Sequence, residues 1–413
     1  MKLTSVDGST RQNGHFKLKL KLPYIVIFFC FALLGLPISA TIPEPPSTIR
    51  DLVVEETTPE LLEYLVWGAL YTFSAIVILK YLRALRTIWF VFALLPTFYY
   101  AASIFLSSYV NSPATEALQL FGSTALAAIV AKSLVNNFSA TIQLIHRATF
   151  LNLLLNLVFI GLAPDQTIGD DGRWSSLVGN PNYLASLALL NVFLLMVLSV
   201  SGAAKSKFTI LFMIVPIAIF IGTRSATSSA ALIVVFSLFV FFSLRRFDHA
   251  STATIQGGLL LALILVIVSL NFWFTLFLEV LGKDITLTGR TAIWSASLTT
   301  LPGHFLFGHG VNVTTFDVGV TNWPTHFHNG ALHLIMSVGM VGLIVFLLPL
   351  LAGLVAAKNL RNRPQRFFIL GSIIIFLLFN TTEVSIFAWR HPIWLLYLSA
   401  ILSIAFLRVR LLK

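Results

Sequence analysis

Twelve stretches of this chain are apolar at close to the length that crosses a hydrocarbon layer, ~17 to 25 residues, the fifth and seventh being short. They run at 22–40, 61–79, 87–106, 117–135, 148–163, 182–201, 208–222, 228–244, 255–277, 328–356, 367–382 and 391–407. Lipid offers no partner for a backbone N–H or C=O, so such stretches must close their hydrogen bonds internally as helices. The expected fold class is therefore all-α, a polytopic integral membrane protein of about 12 transmembrane helices. With 57% hydrophobic and 10% charged residues, an ordinary soluble domain is excluded. The formal charge of +11 would suggest nucleic acid only if the cations gathered on one soluble face. Here they punctuate apolar runs, so nucleic acid is not an expected partner. The single cysteine, Cys30, rules out an intrachain disulfide and a cysteine metal site.

With the first residues cytoplasmic, 21 of the 27 Lys and Arg residues fall on the cytoplasmic side, from Lys2 to Lys413. The bias holds at every loop, as the positive-inside rule requires. It predicts that both termini are cytoplasmic, and it isolates six outward cations: Arg50, Arg173, Arg224, Lys283, Arg290 and Arg390. Arg50 and Lys283 each lie beside an aspartate and read as solvated loop charges. Arg224 lies in the very short outward turn of "IGTRSATSSA" with no acid near it in sequence. An arginine held at the mouth of a helix bundle suits an anion contact better than decoration. The first span has a basic start and a small-residue end, like a signal peptide, but its apolar run is long for one and an uncleaved anchor is expected.

The one long outward loop, 278–327, is expected to fold over the site and to carry short helices, because a structureless loop of that length is unusual. Within it, "TLTGRTAIWSASLTTLPGHFLFGHG" reads as a short amphipathic helix after Thr288 or Gly289, ending near Pro302 and Gly303. Arg290 in its first turn is poorly placed for the helix dipole, but well placed to share a phosphate with free helix N–H groups. Trp294, one turn on, fits either a sugar platform or the membrane interface.

Several histidines lie at the outer side, and "HFH" at His326–His328 invites a metal reading. The loop acids Glu279, Asp284 and Asp317 show no ligand spacing and no zinc motif is present, so no metal is expected. A general base needs one neutral imidazole near the reacting hydroxyl. His328, at the junction of loop and helix with Asn329 beside it, is the best placed. Continued as one helix, the stretch would put Gly339 and Gly342 near the face of His328, where small residues admit a neighbouring helix.

His328-Asn329, nine residues, then Gly339-x-x-Gly342 resembles the signature of the bacterial O-antigen ligase family, within the group that includes O-antigen polymerases. "TRSA" around Arg224, "GRTAIW" around Arg290, "GHG" at 308–310 and "GRWSSLVGNPNYLA" at 172–185 are similar to family landmarks in their usual order. The resemblance covers roughly residues 170–345, and divides the chain into a tail (1–21), N-terminal transmembrane helices (22–165), a ligase-like core (166–356) and C-terminal helices with a tail (357–413).

The resemblance implies a glycosyltransferase of the inner membrane with its active site on the periplasmic face. It implies transfer of a glycan from undecaprenyl diphosphate to a lipid A core sugar, without metal, nucleotide or other cofactor. His328, Arg290 and Arg224 would carry the catalysis, with Arg173, Asn182, Trp294 and Asn329 as substrate contacts. A polymerase extending a lipid-linked glycan would use the same parts. A transporter is the alternative of a different class, disfavoured by the lack of ionisable residues deep within most spans.

Overall fold

The computed structural model describes residues 22–36, 61–79, 88–106, 113–204, 206–243, 290–311, 313–320 and 326–411. Among these residues the regular structure is helical, apart from one isolated bridge between Ile168 and Trp174. The longer helices are α1 (Leu22–Ala32), α2 (Leu61–Leu79), α3 (Ile88–Ala102), α4 (Pro113–Asn136), α5 (Phe138–Leu162), α6 (Pro181–Val200), α7 (Ser206–Thr223), α8 (Ala226–Ser243), α9 (Arg290–Thr300), α10 (Gly330–Lys358), α11 (Arg363–Phe379) and α12 (Pro392–Leu411). Six of the described helices are long and apolar enough to cross a membrane, and four more are shorter apolar helices. The protein is an all-α, multi-pass membrane protein.

The expected span 255–277 lies outside the described residues, as does the part of the outward loop before Arg290. Each of the other eleven expected spans overlaps a helix within the described residues. The fifth begins ten residues earlier than its apolar run, at Phe138, because Asn137 caps it by accepting the Ala140 N–H at 3.3 Å. The polar residues that masked this start are absorbed by packing. His146, for example, lies edge-on to the Phe212 ring at 5.1 Å.

The bundle is organised around α6, which is apolar on every side and buried from Leu184 to Leu198. α5, α7, α8, α11 and α12 all pack on it. Outside this group α4 joins α2 to α12, and α3 packs on α10 and α12. Buried asparagines lock the layers. Asn191 of α6 donates to the His146 carbonyl and to Thr149 Oγ1, and Asn152 of α5 donates to the Ala32 and Leu34 carbonyls that end α1. These carbonyls would otherwise be orphaned at a helix terminus.

α10 departs from the expected continuous helix. His328 precedes it in the left-handed region (φ 49°), Asn329 is its N-cap, and the helix breaks at Gly339 (φ 68°, ψ −171°). An intact helix would join Met340 N–H to the Met336 carbonyl and Val341 N–H to that of Ser337. Instead His309 and Gly310 donate to Met336 and Ser337, while Met340 and Val341 donate to Phe305 and Leu306. The "HFLFGHG" segment is thus spliced into the helix ladder and satisfies these four freed groups. This corrects the sequence reading that a continuous face joins His328 to Gly339. The small residue admits a loop backbone rather than a helix, and only Gly342 meets a helix, with Tyr99 of α3 close by.

Gly339 holds a backbone conformation open essentially to glycine alone, and a Cβ there would lie 2.2 Å from the Leu306 carbonyl oxygen. Gly339→Ala is expected to destabilise the protein by at least ~1 to 3 kcal/mol from strain alone. A thermal unfolding scan in detergent should show it as a lowered midpoint, and Gly161→Ala, with nothing within 4 Å, serves as the neutral comparison.

Candidate active site

Four connections and the short helix α9 converge beyond the head of α10. They are the segment from Pro164 to Asn180, the α7–α8 turn, His326–Asn329 and the segment Asn380–His391. Each is held by local chemistry. Trp174 lies against Gly222 and donates its N–H to the Gly222 carbonyl at 3.0 Å, which docks the first segment on the end of α7. Asn329 caps α10 through the Leu332 N–H at 2.9 Å and donates to the Thr381 carbonyl at 3.0 Å. Gly330 N–H donates to the Asn380 carbonyl at 2.8 Å, so the His-Asn-Gly run is tied to the α11–α12 connection.

At the centre is a residue that the sequence reading passed over, Glu383. It is 6% exposed. Its Oε1 accepts from Arg290 Nη2 and from Asn182 Nδ2, both at 2.7 Å, and its Oε2 lies 4.0 Å from His328 Nδ1. Arg290 also donates to the Thr382 carbonyl. Arg173 donates through Nη2 to Asn182 Oδ1 at 2.9 Å and through Nε to the Thr223 carbonyl at 2.8 Å. Arg224, exposed and with φ 47°, is the next residue, and its guanidinium flanks Gly172. Thr227 and Thr382 share a hydroxyl contact that ties the first turn of α8 to the same segment.

The arrangement is cationic. Burial pulls Arg173 below its ordinary pKa, and Arg290 and Arg224 oppose its charge while Asp171 and Glu383 support it. Three guanidiniums thus act in one electrostatic neighbourhood around a buried carboxylate. An arriving anion would offset the burial of Arg173 and the repulsion that Arg290 and Arg224 exert on it. His328 is held neutral, with burial foremost and His326 and Arg290 adding to it, at a pKa of about 2. Its Nδ1 is buried with no hydrogen-bond partner. His326 Nδ1 accepts the His328 backbone N–H at 3.2 Å, and burial lowers its pKa as well.

The structure thus brings together His328, Arg290, Arg224, Arg173, Asn182 and Asn329. It places Trp294 differently: the indole N–H donates to the Phe327 carbonyl at 2.9 Å, and the ring packs against a small core of Leu301, Val313, Phe327, Leu332 and Met336, bracing "HFH" from behind. Asp317 is occupied by Thr314, which donates from its N–H and hydroxyl at 2.8 Å each. His304 and His309 stack on each other at 4.0 Å in the spliced loop, and His391 accepts the Ile393 N–H.

A metal reading gains an acid the sequence did not offer. His326, His328 and Glu383 present one donor atom each within 4.8 Å of one another. Yet one carboxylate oxygen already serves Arg290 and Asn182, and a guanidinium 2.7 Å from that oxygen opposes a dication. The donor set fits an anion-binding site better than a metal centre.

A family model described as O-Antigen ligase matches residues 208–347. The matched region holds Arg224, Arg290, His328, Asn329 and both glycines of the α10 motif, and excludes Arg173, Asn182 and Glu383. No curated protein matches the chain. Over residues 208–347, about a third of the chain, the protein is similar to the O-antigen ligase family model, in agreement with the resemblance read from the sequence.

Proposed function

We propose that this protein moves a glycan from undecaprenyl diphosphate to a sugar of the lipid A core, at the periplasmic face of the inner membrane. The observation that carries the reading is that Arg290 is paired with Glu383 beside a neutral His328, while Arg173, bonded to the Asn182 that also holds Glu383, lies within electrostatic reach of both Arg290 and Arg224. A lipid diphosphate is anionic at the depth where its headgroup leaves the bilayer, and arginine forks match phosphate oxygens in pairs.

In the reaction His328 takes the proton of the acceptor hydroxyl. The acceptor oxygen bonds to the anomeric carbon, the bond from that carbon to the diphosphate oxygen breaks, and its electron pair stays with the leaving diphosphate. Arg290 and Arg224 stabilise the charge that grows there, a contribution larger in the transition state than in the ground state. The proton passes from the imidazolium to solvent or to the departing diphosphate.

Glu383 has two tasks in this scheme. At rest it holds Arg290. When the diphosphate draws Arg290 away, the freed carboxylate closes on the Nδ1–H of His328, fixing the ring's orientation and raising the basicity of its other nitrogen. Burial, His326 and Arg290 weaken the resting imidazole as a base, and in this scheme donor binding strengthens it.

The test is a reconstituted assay with a lipid-diphosphate glycan and either lipid A core or a second lipid-linked glycan. Product on the core supports the ligase reading, and elongation of the lipid-linked glycan alone would replace it with a polymerase. Turnover is expected to persist in chelator and without nucleotide. Loss in chelator, reversed by one particular divalent ion, would assign His326, His328 and Glu383 to a metal.

A further inference from the structure

The segment spliced into α10 presents Phe305, Leu306 and Phe307 to the outside, at 46%, 57% and 54% exposure. Three consecutive large apolar side chains on an outer connection need an apolar environment. Their backbone is fixed: Phe305 and Leu306 carbonyls accept from Met340 and Val341, so the tip lies at the level of the break in α10. Below the break, Met340 to Lys358 is 19 residues, about 28 Å of helix. That length matches a hydrocarbon layer of about 30 Å. Lys358 and the basic run that follows mark one water interface, so the break at Gly339 marks the other. Below the break α10 itself exposes Ile344, Leu351 and Val355. Irregular backbone at membrane depth is tolerated where its polar groups are satisfied by protein, as these are.

We propose that Phe305, Leu306 and Phe307 form a re-entrant wedge seated in the hydrocarbon edge of the leaflet on the active-site side, its partner being the lipid acyl chains. The consequence is a fixed height for the site. Gly330 to Val338 adds about 14 Å of helix above the wedge, so His328 stands at the level of lipid headgroups rather than in hydrocarbon. The wedge stands independently of the reaction assigned to the site.

The experiment uses full-length protein with Cys30→Ala, a single introduced cysteine and a bimane label, reconstituted in phosphatidylcholine vesicles. Leu306→Cys and, as a second probe, Phe307→Cys are compared with Ile344→Cys on the lipid-facing side of α10 and Ser295→Cys on the exposed side of α9. Both tip labels are expected to be quenched by lipids with a nitroxide near the carbonyl end of the acyl chain and to be protected from aqueous iodide, as at Ile344. Quenching by iodide and not by lipid, as expected at Ser295, would overturn the wedge. Quenching by neither would also overturn it, showing the tip covered by another part of the chain such as 255–277.

Discussion

His328→Ala is expected to lower turnover by roughly 10² to 10⁴ while donor affinity stays near that of the parent, because a general base acts only as the hydroxyl attacks. The geometry permits the separation. Among the described contacts His328 meets Arg290 only through Glu383, and its side chain makes no hydrogen bond that holds the fold. Arg290→Ala is expected to behave differently, weakening donor binding and turnover together, since a charge-assisted contact of ~1.5 to 3 kcal/mol is lost. Arg290→Lys keeps the charge but cannot serve a phosphate with a planar fork, so it should also lose much of the activity. Binding of radiolabelled lipid diphosphate beside single-turnover transfer reads both quantities. Folded His328→Ala with near-parental turnover would remove the base from the scheme.

The helices were legible because lipid makes their demand uniform: an apolar run of sufficient length has no alternative to a helix, whatever it packs against. The Arg290 helix was legible too, from its stop at Pro302 and Gly303. The break in α10 was not. "SVGMVG" reads as small residues in a helix, and only the loop backbone supplied from Phe305–Gly310 shows that Gly339 is needed for its torsion angles. The site was half legible. Arg224 and Arg290 stood out as cations on the wrong side of the charge partition, and His328 as a ring at a helix head. Glu383 gave no such signal, because acids carry little topological bias and a lone glutamate in "NTTEVSIF" has no motif spacing. Its role comes from contacts with residues 55, 93 and 201 positions away in the chain. A cue was available: it is an acid in a connection expected on the same side as Arg224, an arginine with no acid near it in sequence.

Glu383→Gln tests whether donor binding prepares the base. The amide keeps the volume of the side chain but can neither hold Arg290 as an ion pair nor support an imidazolium. Donor affinity is therefore expected to be unchanged or tighter, since the diphosphate no longer competes with a carboxylate for Arg290. Turnover is expected to fall steeply, toward the ~10⁴ lost when the carboxylate behind a catalytic histidine is replaced by its amide in serine proteases. The pH dependence carries the sign. In the free protein burial, His326 and Arg290 hold His328 far below its ordinary value, so its protonation begins only at strongly acid pH. In the donor complex Arg290 turns to the diphosphate and Glu383 faces His328 unneutralised, which raises the imidazole pKa. Protonation that disables the base then sets in at higher pH. The acid limb of kcat, which reports the complex, should lie above that of kcat/KM, which reports the free protein. Glu383→Gln should collapse that separation by lowering the kcat limb, and a merely structural glutamate would lower rates without moving the limbs relative to each other. Coincident limbs in the parent would show that Glu383 does not act through His328, and would leave it as the residue that holds Arg290 and Asn182 in place.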